Sequence, residues 1–149
     1  MTPSPALSQD INLDADTALP QLRGPGGRRL IVLLADDNPV NREVGRALLE
    51  ELGLEVHTAL DGRDAVNKAA AGQFDLVLMD VQMPKLDGLA ATRELRNHAK
   101  LAAVPVIAMT ANAADQNRDD CLAAGMNDFL TKPVDLWALA AMLARWLPR

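Results

Sequence analysis

"DLVLMDVQMPKLDG", residues 75–88, sets an unbroken aliphatic run against an abrupt change of chemistry at Asp80. Leu76, Val77, Leu78 and Met79 are apolar at successive positions, so neither face of this stretch suits water once it is extended. A strand covered on both faces belongs in a parallel sheet with helices packed above and below. Strands have to end, and aspartate is a common residue for leaving one. Whether Asp80 is only an exit depends on what other segments set beside it.

The same grammar recurs along the chain. "LIVLLA" (30–35), "LEVHTA" (54–59), "VPVIAM" (104–109) and "NDFLT" (127–131) read as four further strands around "DLVLM" (75–79). Helix-length segments lie between them, at 39–52, 61–71, 87–97, 112–124 and 134–147. The first opens with Pro39, carries Val40, Val44, Ala47, Leu48 and Leu52 on one face, and stops at Gly53. The fourth has few apolar anchors beyond Cys121 and Leu122, and is expected to be weakly held. The fifth spaces Leu136, Leu139, Leu143 and Trp146 to face a sheet. Five strand–helix units in succession predict an α/β domain, a parallel sheet with helices on both faces.

Composition bounds the rest. The 149 residues are one domain's worth, with 49% apolar and 23% charged residues, ordinary for a globular protein. Residues 1–28 differ: rich in proline and glycine and running into "RGPGGRR" (23–29), they read as a flexible leader or interdomain linker, which leaves 29–149 as the domain. A net charge of -5 and 3% aromatics argue against direct nucleic-acid binding, and no apolar run approaches a membrane span. One cysteine, Cys121, excludes an internal disulfide framework and fits a reducing compartment. The first residues lack the features of a secretory signal, so the expected location is cytoplasmic. "DINLDAD" (10–16) begins like a calcium loop, but Ala15 replaces the turn glycine and Gln21 the final acid. "GPGGRR" (24–29) lacks the Gly-Lys-Ser/Thr of a P-loop, and His57 and His98 read as surface residues.

In a parallel sheet, ligands bind beyond the carboxyl ends of the strands. Asp36, Asp37 and Asn38 follow the first strand, Asp80 the third, Thr110 closes the fourth, and Lys132 then Pro133 follow the fifth. Two carboxylates about 4 Å apart repel by roughly 4 kcal/mol at an effective dielectric of ~20, so three are not gathered for stability alone. An oxygen-rich acidic pocket suits Mg²⁺, Lys132 suits an anion, and the Thr110 hydroxyl can donate to a phosphoryl oxygen. The constellation points to phosphoryl transfer with Asp80 as nucleophile.

"ADDN" (35–38), "LVLMDVQMPKLDG" (76–88), "VIAMTANA" (106–113) and "GMNDFLTKPV" (125–134) resemble the motifs of response-regulator receiver domains, in order and over residues 30–147. "DDNPVNREV" (36–44) together with the later motifs is most similar to receivers of hybrid sensor histidine kinases. The resemblance implies a flavodoxin-like, doubly wound five-stranded sheet of order 2-1-3-4-5. It implies that Asp80 accepts a phosphoryl group from a phosphohistidine on a histidine kinase or histidine phosphotransfer protein. Such a domain catalyses its own phosphorylation and dephosphorylation without turning over an external substrate. Asp37, Asp80 and the Gln82 carbonyl would hold Mg²⁺, or Mn²⁺, with Asp36 acting mainly through water. Lys132, Thr110 and the Ala111 N–H would bind the phosphoryl group, and the Lys132–Pro133 bond would be cis. Thr110 and Phe129 would form the switch, while Gln82 and Asn112 would influence the lifetime of the phosphate. Phe129 lacks the hydroxyl of the commoner tyrosine. Asn38, Val40, Arg42 and Val44 are expected to dock the partner, and the fourth and fifth helices offer a homodimer surface.

Two rivals stand beside this reading. A haloacid-dehalogenase-like phosphatase also puts aspartate after a buried strand, but wants a second acid two residues on, where this chain has Gln82. A non-phosphorylated, receiver-like binding module would be expected to have lost one of the acids or the lysine.

Overall fold

The computed structural model describes residues 20–83, 85–111 and 115–148, by backbone alone at 115–117. Pro84, Asn112 and the 10–16 acidic stretch therefore lie outside the described residues.

Five short strands, β1 Ile31–Ala35, β2 Glu55–Ala59, β3 Leu76–Asp80, β4 Val106–Thr110 and β5 Asp128–Thr131, form one sheet in the order β2-β1-β3-β4-β5. Every pairing is parallel. This is the flavodoxin-like sheet the motifs imply. Between the strands run α1 Pro39–Glu51, α2 Gly62–Ala71, α3 Gly88–Arg96 and α4 Asp115–Ala123, with α5 Leu136–Trp146 last. Among the described residues no helix is long and apolar enough to cross a membrane.

Alternation along the strands divides the core in two. Val32, Leu34, Leu76, Leu78, Ile107 and Met109 meet Leu49 and Leu52 near the end of α1 and Leu139 and Leu143 of α5. Leu33, Ala35, Val77, Met79, Val106 and Ala108 meet α2, α3 and α4 on the opposite face, through Ala65, Val66, Ala91, Leu95 and Cys121. β3 and β4 are buried at every position, as their continuous apolar runs require.

Helix starts explain where the sequence boundaries move. Asn38, Asp61, Asp87 and Asp135 each cap a helix by accepting a hydrogen bond from a first-turn N–H. Residues expected inside α2, α3 and α5 therefore stand just outside them. Pro105 has no N–H for the ladder, and β4 begins at Val106. Asp80, expected just beyond its strand, is the last residue of β3, opposite Met109.

The stretch from residue 20 to the sheet packs against the domain. Leu22 rests on the α1–α5 side of the core, and its N–H donates to the Leu52 carbonyl at 2.9 Å. Gln21 Nε2 donates to the Glu51 carbonyl at 2.9 Å, and Arg23 donates to that of Gly53. The Glu51 and Leu52 carbonyls close α1 and have no partner within the helix, and that of Gly53 follows directly. A 3₁₀ turn at Pro25–Gly27 reverses the chain, after which Arg28 grips Asp75 with Nη2 and Nη1, at 3.0 and 3.2 Å.

Candidate functional site

The carboxyl ends of β1, β3, β4 and β5 converge on one cleft lined by Asp37, Asn38, Asn41, Asp80, Gln82, Thr110, Ala111 and Lys132. Carboxylate oxygens of Asp36, Asp37 and Asp80 all lie within 4.8 Å of one another. Asp36 and Asp80 are buried and Asp37 is exposed. Lys132 Nζ bridges the two buried acids, 3.0 Å from Asp80 Oδ2 and 3.3 Å from Asp36 Oδ2.

Local chemistry holds each acid. Asp36 Oδ1 accepts from the Asn38 N–H at 3.0 Å, and Asn38 Oδ1 accepts from Val40 and Asn41, so one asparagine both caps α1 and closes the loop carrying the acids. Asp80 Oδ1 accepts from the Gln82 N–H at 3.2 Å. Behind it, Gly88 donates to the Val81 carbonyl at 2.9 Å. Lys132 is tied to β4 by its own N–H, which donates to the Thr110 carbonyl at 2.7 Å, and its bond to Pro133 is cis.

Electrostatics reflect the crowding. Burial pushes the Asp80 carboxyl above the usual carboxylate range; the hydrogen bond and charge of Lys132 pull the other way and do not overcome it, and the Asp36 charge adds to the upward push. Burial disfavours the Lys132 ammonium, yet Asp80 and then Asp36 outweigh it, and the lysine holds its proton more tightly than usual. Three carboxylates and one ammonium leave the cleft net negative. An all-oxygen set of this kind fits a hard divalent cation such as Mg²⁺.

The remaining predicted residues fall into three places. Thr110 and Ala111 line the cleft, the first buried and the second exposed. Phe129 is half-buried against the α2–α4 side of the core, with the Arg118 guanidinium 4.8 Å from its ring centroid. Val40 and Val44 stand on the outer face of α1 at 69% and 54% exposure, an unusual display for two valines one turn apart. Asn112 lies outside the described residues. His57 is exposed as expected, and it pairs with Glu55 at 2.7 Å and meets the Phe74 ring edge-on.

Three features escaped sequence reasoning. Asn41 lines the cleft, where only its place in the first turn of α1 could have hinted at it. Arg42 folds back so that Nη1 donates to the Asp36 carbonyl at 2.9 Å. The loop after Asp80 is clamped by two glycines: a β-carbon at Gly88 would lie 2.2 Å from the Asp80 carbonyl oxygen, and one at Gly62 would lie 1.7 Å from that of Leu86.

Comparison with known proteins agrees with this geometry. The family model described as "Response regulator receiver domain" matches residues 32–144. The signal transduction histidine-protein kinase BarA of Escherichia coli is 36% identical over 144 residues, 97% of this chain but 16% of that protein. The chain thus spans about a sixth of that relative's length. A crystal structure of the receiver domain of sensor histidine kinase PA1611 from Pseudomonas aeruginosa, with a magnesium ion coordinated in the active site cleft, is 46% identical with a TM-score of 0.75. It covers 79% of this chain and 97% of that one. The co-crystal structure of the Saccharomyces cerevisiae histidine phosphotransfer signaling protein Ypd1 with the receiver domain of its downstream response regulator Ssk1 is also similar. There the identity is 30% and the TM-score 0.74, over 79% of this chain and 88% of that one.

Proposed function

The chain belongs to the response regulator receiver domain family of two-component and phosphorelay systems, and from that membership we propose that Asp80 accepts a phosphoryl group from a phosphohistidine on a partner. The observation that carries the proposal is the meeting of Asp36, Asp37 and Asp80 within 4.8 Å, with Lys132 Nζ 3.0 Å from Asp80. An Asp80 oxygen attacks phosphorus, the P–N bond to the imidazole breaks, and the electron pair leaves with the histidine nitrogen. Asp36, Asp37, Asp80 and the Gln82 carbonyl are the residues that would hold Mg²⁺ or Mn²⁺, with Asp36 acting mainly through water. When bound, the cation offsets negative charge on the phosphoryl oxygens. Lys132 pairs with one of those oxygens, while the Thr110 hydroxyl and the Ala111 N–H donate to another. Gln82 and Asn112 influence how fast water removes the group.

The partner is a histidine kinase or a histidine phosphotransfer protein, meeting this chain in the cytoplasm. The exposed Val40 and Val44 supply an apolar docking patch beside the cleft, and Asn38 and Arg42 add polar contacts to it. Phosphorylation draws on Thr110 and Phe129 to reposition the 110–131 surface, and α4 with α5 is the face for a second copy.

Incubation of the chain with Mg²⁺ and acetyl phosphate tests the reading. A ~80 Da adduct mapping to Asp80, absent in Asp80→Asn, is the expected result. No adduct would favour a receiver-like binding module, and steady turnover of phosphomonoesters would favour a phosphatase.

A further inference from the structure

Arg42 occupies the first turn of α1, where the helix dipole disfavours a cation, and it has no ion pair with a carboxylate among the described residues. Its guanidinium is half-buried and reaches back six residues to the carbonyl oxygen of Asp36. That oxygen belongs to the peptide group joining Asp36 to Asp37. Holding it fixes ψ of Asp36 and, through the planar peptide, the plane from which φ of Asp37 departs. The direction of the Asp37 Cα–Cβ bond follows from those angles.

Asp37 needs such help more than its neighbours. Asp36 is pinned through its carboxylate, by the Asn38 N–H and Lys132. Asp80 is pinned by the Gln82 N–H and Lys132. The carboxylate of Asp37 takes no hydrogen bond from any described residue and is exposed, yet one of its oxygens comes within 4.8 Å of those of the other two acids. Left to itself, a solvated side chain crowded by two carboxylates would turn away. We infer that Arg42 is a positioning residue for the acid cluster, aiming Asp37 into the cleft by clamping the 36–37 peptide group, rather than primarily a residue that docks the partner. This rests on the reading of Asp37 as a cation-facing ligand.

The test uses the full chain with magnesium alone and then acetyl phosphate, so that no protein partner enters. Calorimetric titration of Arg42→Ala with MgCl₂ is expected to give affinity about ten-fold weaker, the size of effect typical when a ligand's supporting hydrogen bond is lost. The Mg²⁺ concentration for half-maximal labelling of Asp80 should rise by a similar factor, while the rate at saturating Mg²⁺ returns toward that of the unaltered chain. A merely structural loss would depress the saturating rate instead. Arg42→Lys, which keeps the charge and one donor, should fall between the two, and it serves also if Arg42→Ala proves unstable. Unchanged Mg²⁺ affinity in both variants, with slowed transfer only from a phosphohistidine protein, would overturn the inference and make Arg42 a docking residue. Asp37→Asn separates the levels. If it too leaves Mg²⁺ affinity unchanged, the reading of the acid cluster fails; if it weakens binding while the Arg42 variants do not, only the clamp fails.

Discussion

At the scale of single residues, Asp80 ends β3 with 5% of its surface exposed, and burial raises its carboxyl above the ordinary range. A carboxyl whose folded value exceeds its unfolded value favours folding only while protonated. Its contribution is intact below the unfolded value and is lost as pH climbs through the folded one. At neutral pH Asp80 therefore strains the fold it serves. Asp80→Asn should raise stability by about 1–2 kcal/mol at pH 7 without divalent ions, since Lys132 keeps Asp36 as a partner. The gain should shrink toward zero below the carboxylate range. Urea unfolding across pH, in chelator, measures it, and an asparagine variant less stable at pH 7 would contradict the account. A divalent cation held among the acids would relieve the same crowding.

At the scale of elements, the placement of Asp80 depends on a loop with no room to spare. Gly88 opens α3 directly against the backbone of Asp80 and Val81. Gly88→Ala should push the loop off the strand end, lowering stability by about 2–3 kcal/mol and slowing acetyl phosphate labelling of Asp80. Asp80 itself is untouched, so a full labelling rate in a folded variant would count against the clamp. α4 is the opposite kind of element. Between Arg118 and Ala123 only Cys121 is buried, and Leu122 stays 51% exposed, whereas α5 buries Leu139, Ala140 and Leu143. Few apolar anchors mean a low free energy of local opening. Amides of 118–123 should exchange about ten-fold or more faster than those of 139–143 by hydrogen-exchange mass spectrometry.

At the scale of the whole molecule, the two ends of the sheet have different tasks. The cleft lies beyond the carboxyl ends of the strands, while residues 20–29 strap the other end by filling the carbonyls that close α1. Leu22→Ala should cost about 1–2 kcal/mol in thermal or urea unfolding and leave acetyl phosphate labelling unaltered, because the contact is remote from the acids. The sequence by itself determined the strands and helices, from apolar runs and their spacing. It also placed Asp36, Asp37, Asp80, Thr110 and Lys132 at strand ends, where a parallel sheet must bring them to one edge. Those features are legible because burial and strand polarity are written locally, residue by residue. Only the tertiary structure decided that Lys132 bridges two acids at 3.0 and 3.3 Å, that Arg42 clamps the Asp36 carbonyl, that Gly62 and Gly88 hold the loop, and that the 20–29 strap closes α1. Each of these is a contact with a particular atom of another segment or turn, often a backbone oxygen. Hydropathy and spacing report which face of a segment is covered, whereas the packed fold alone determines what covers it.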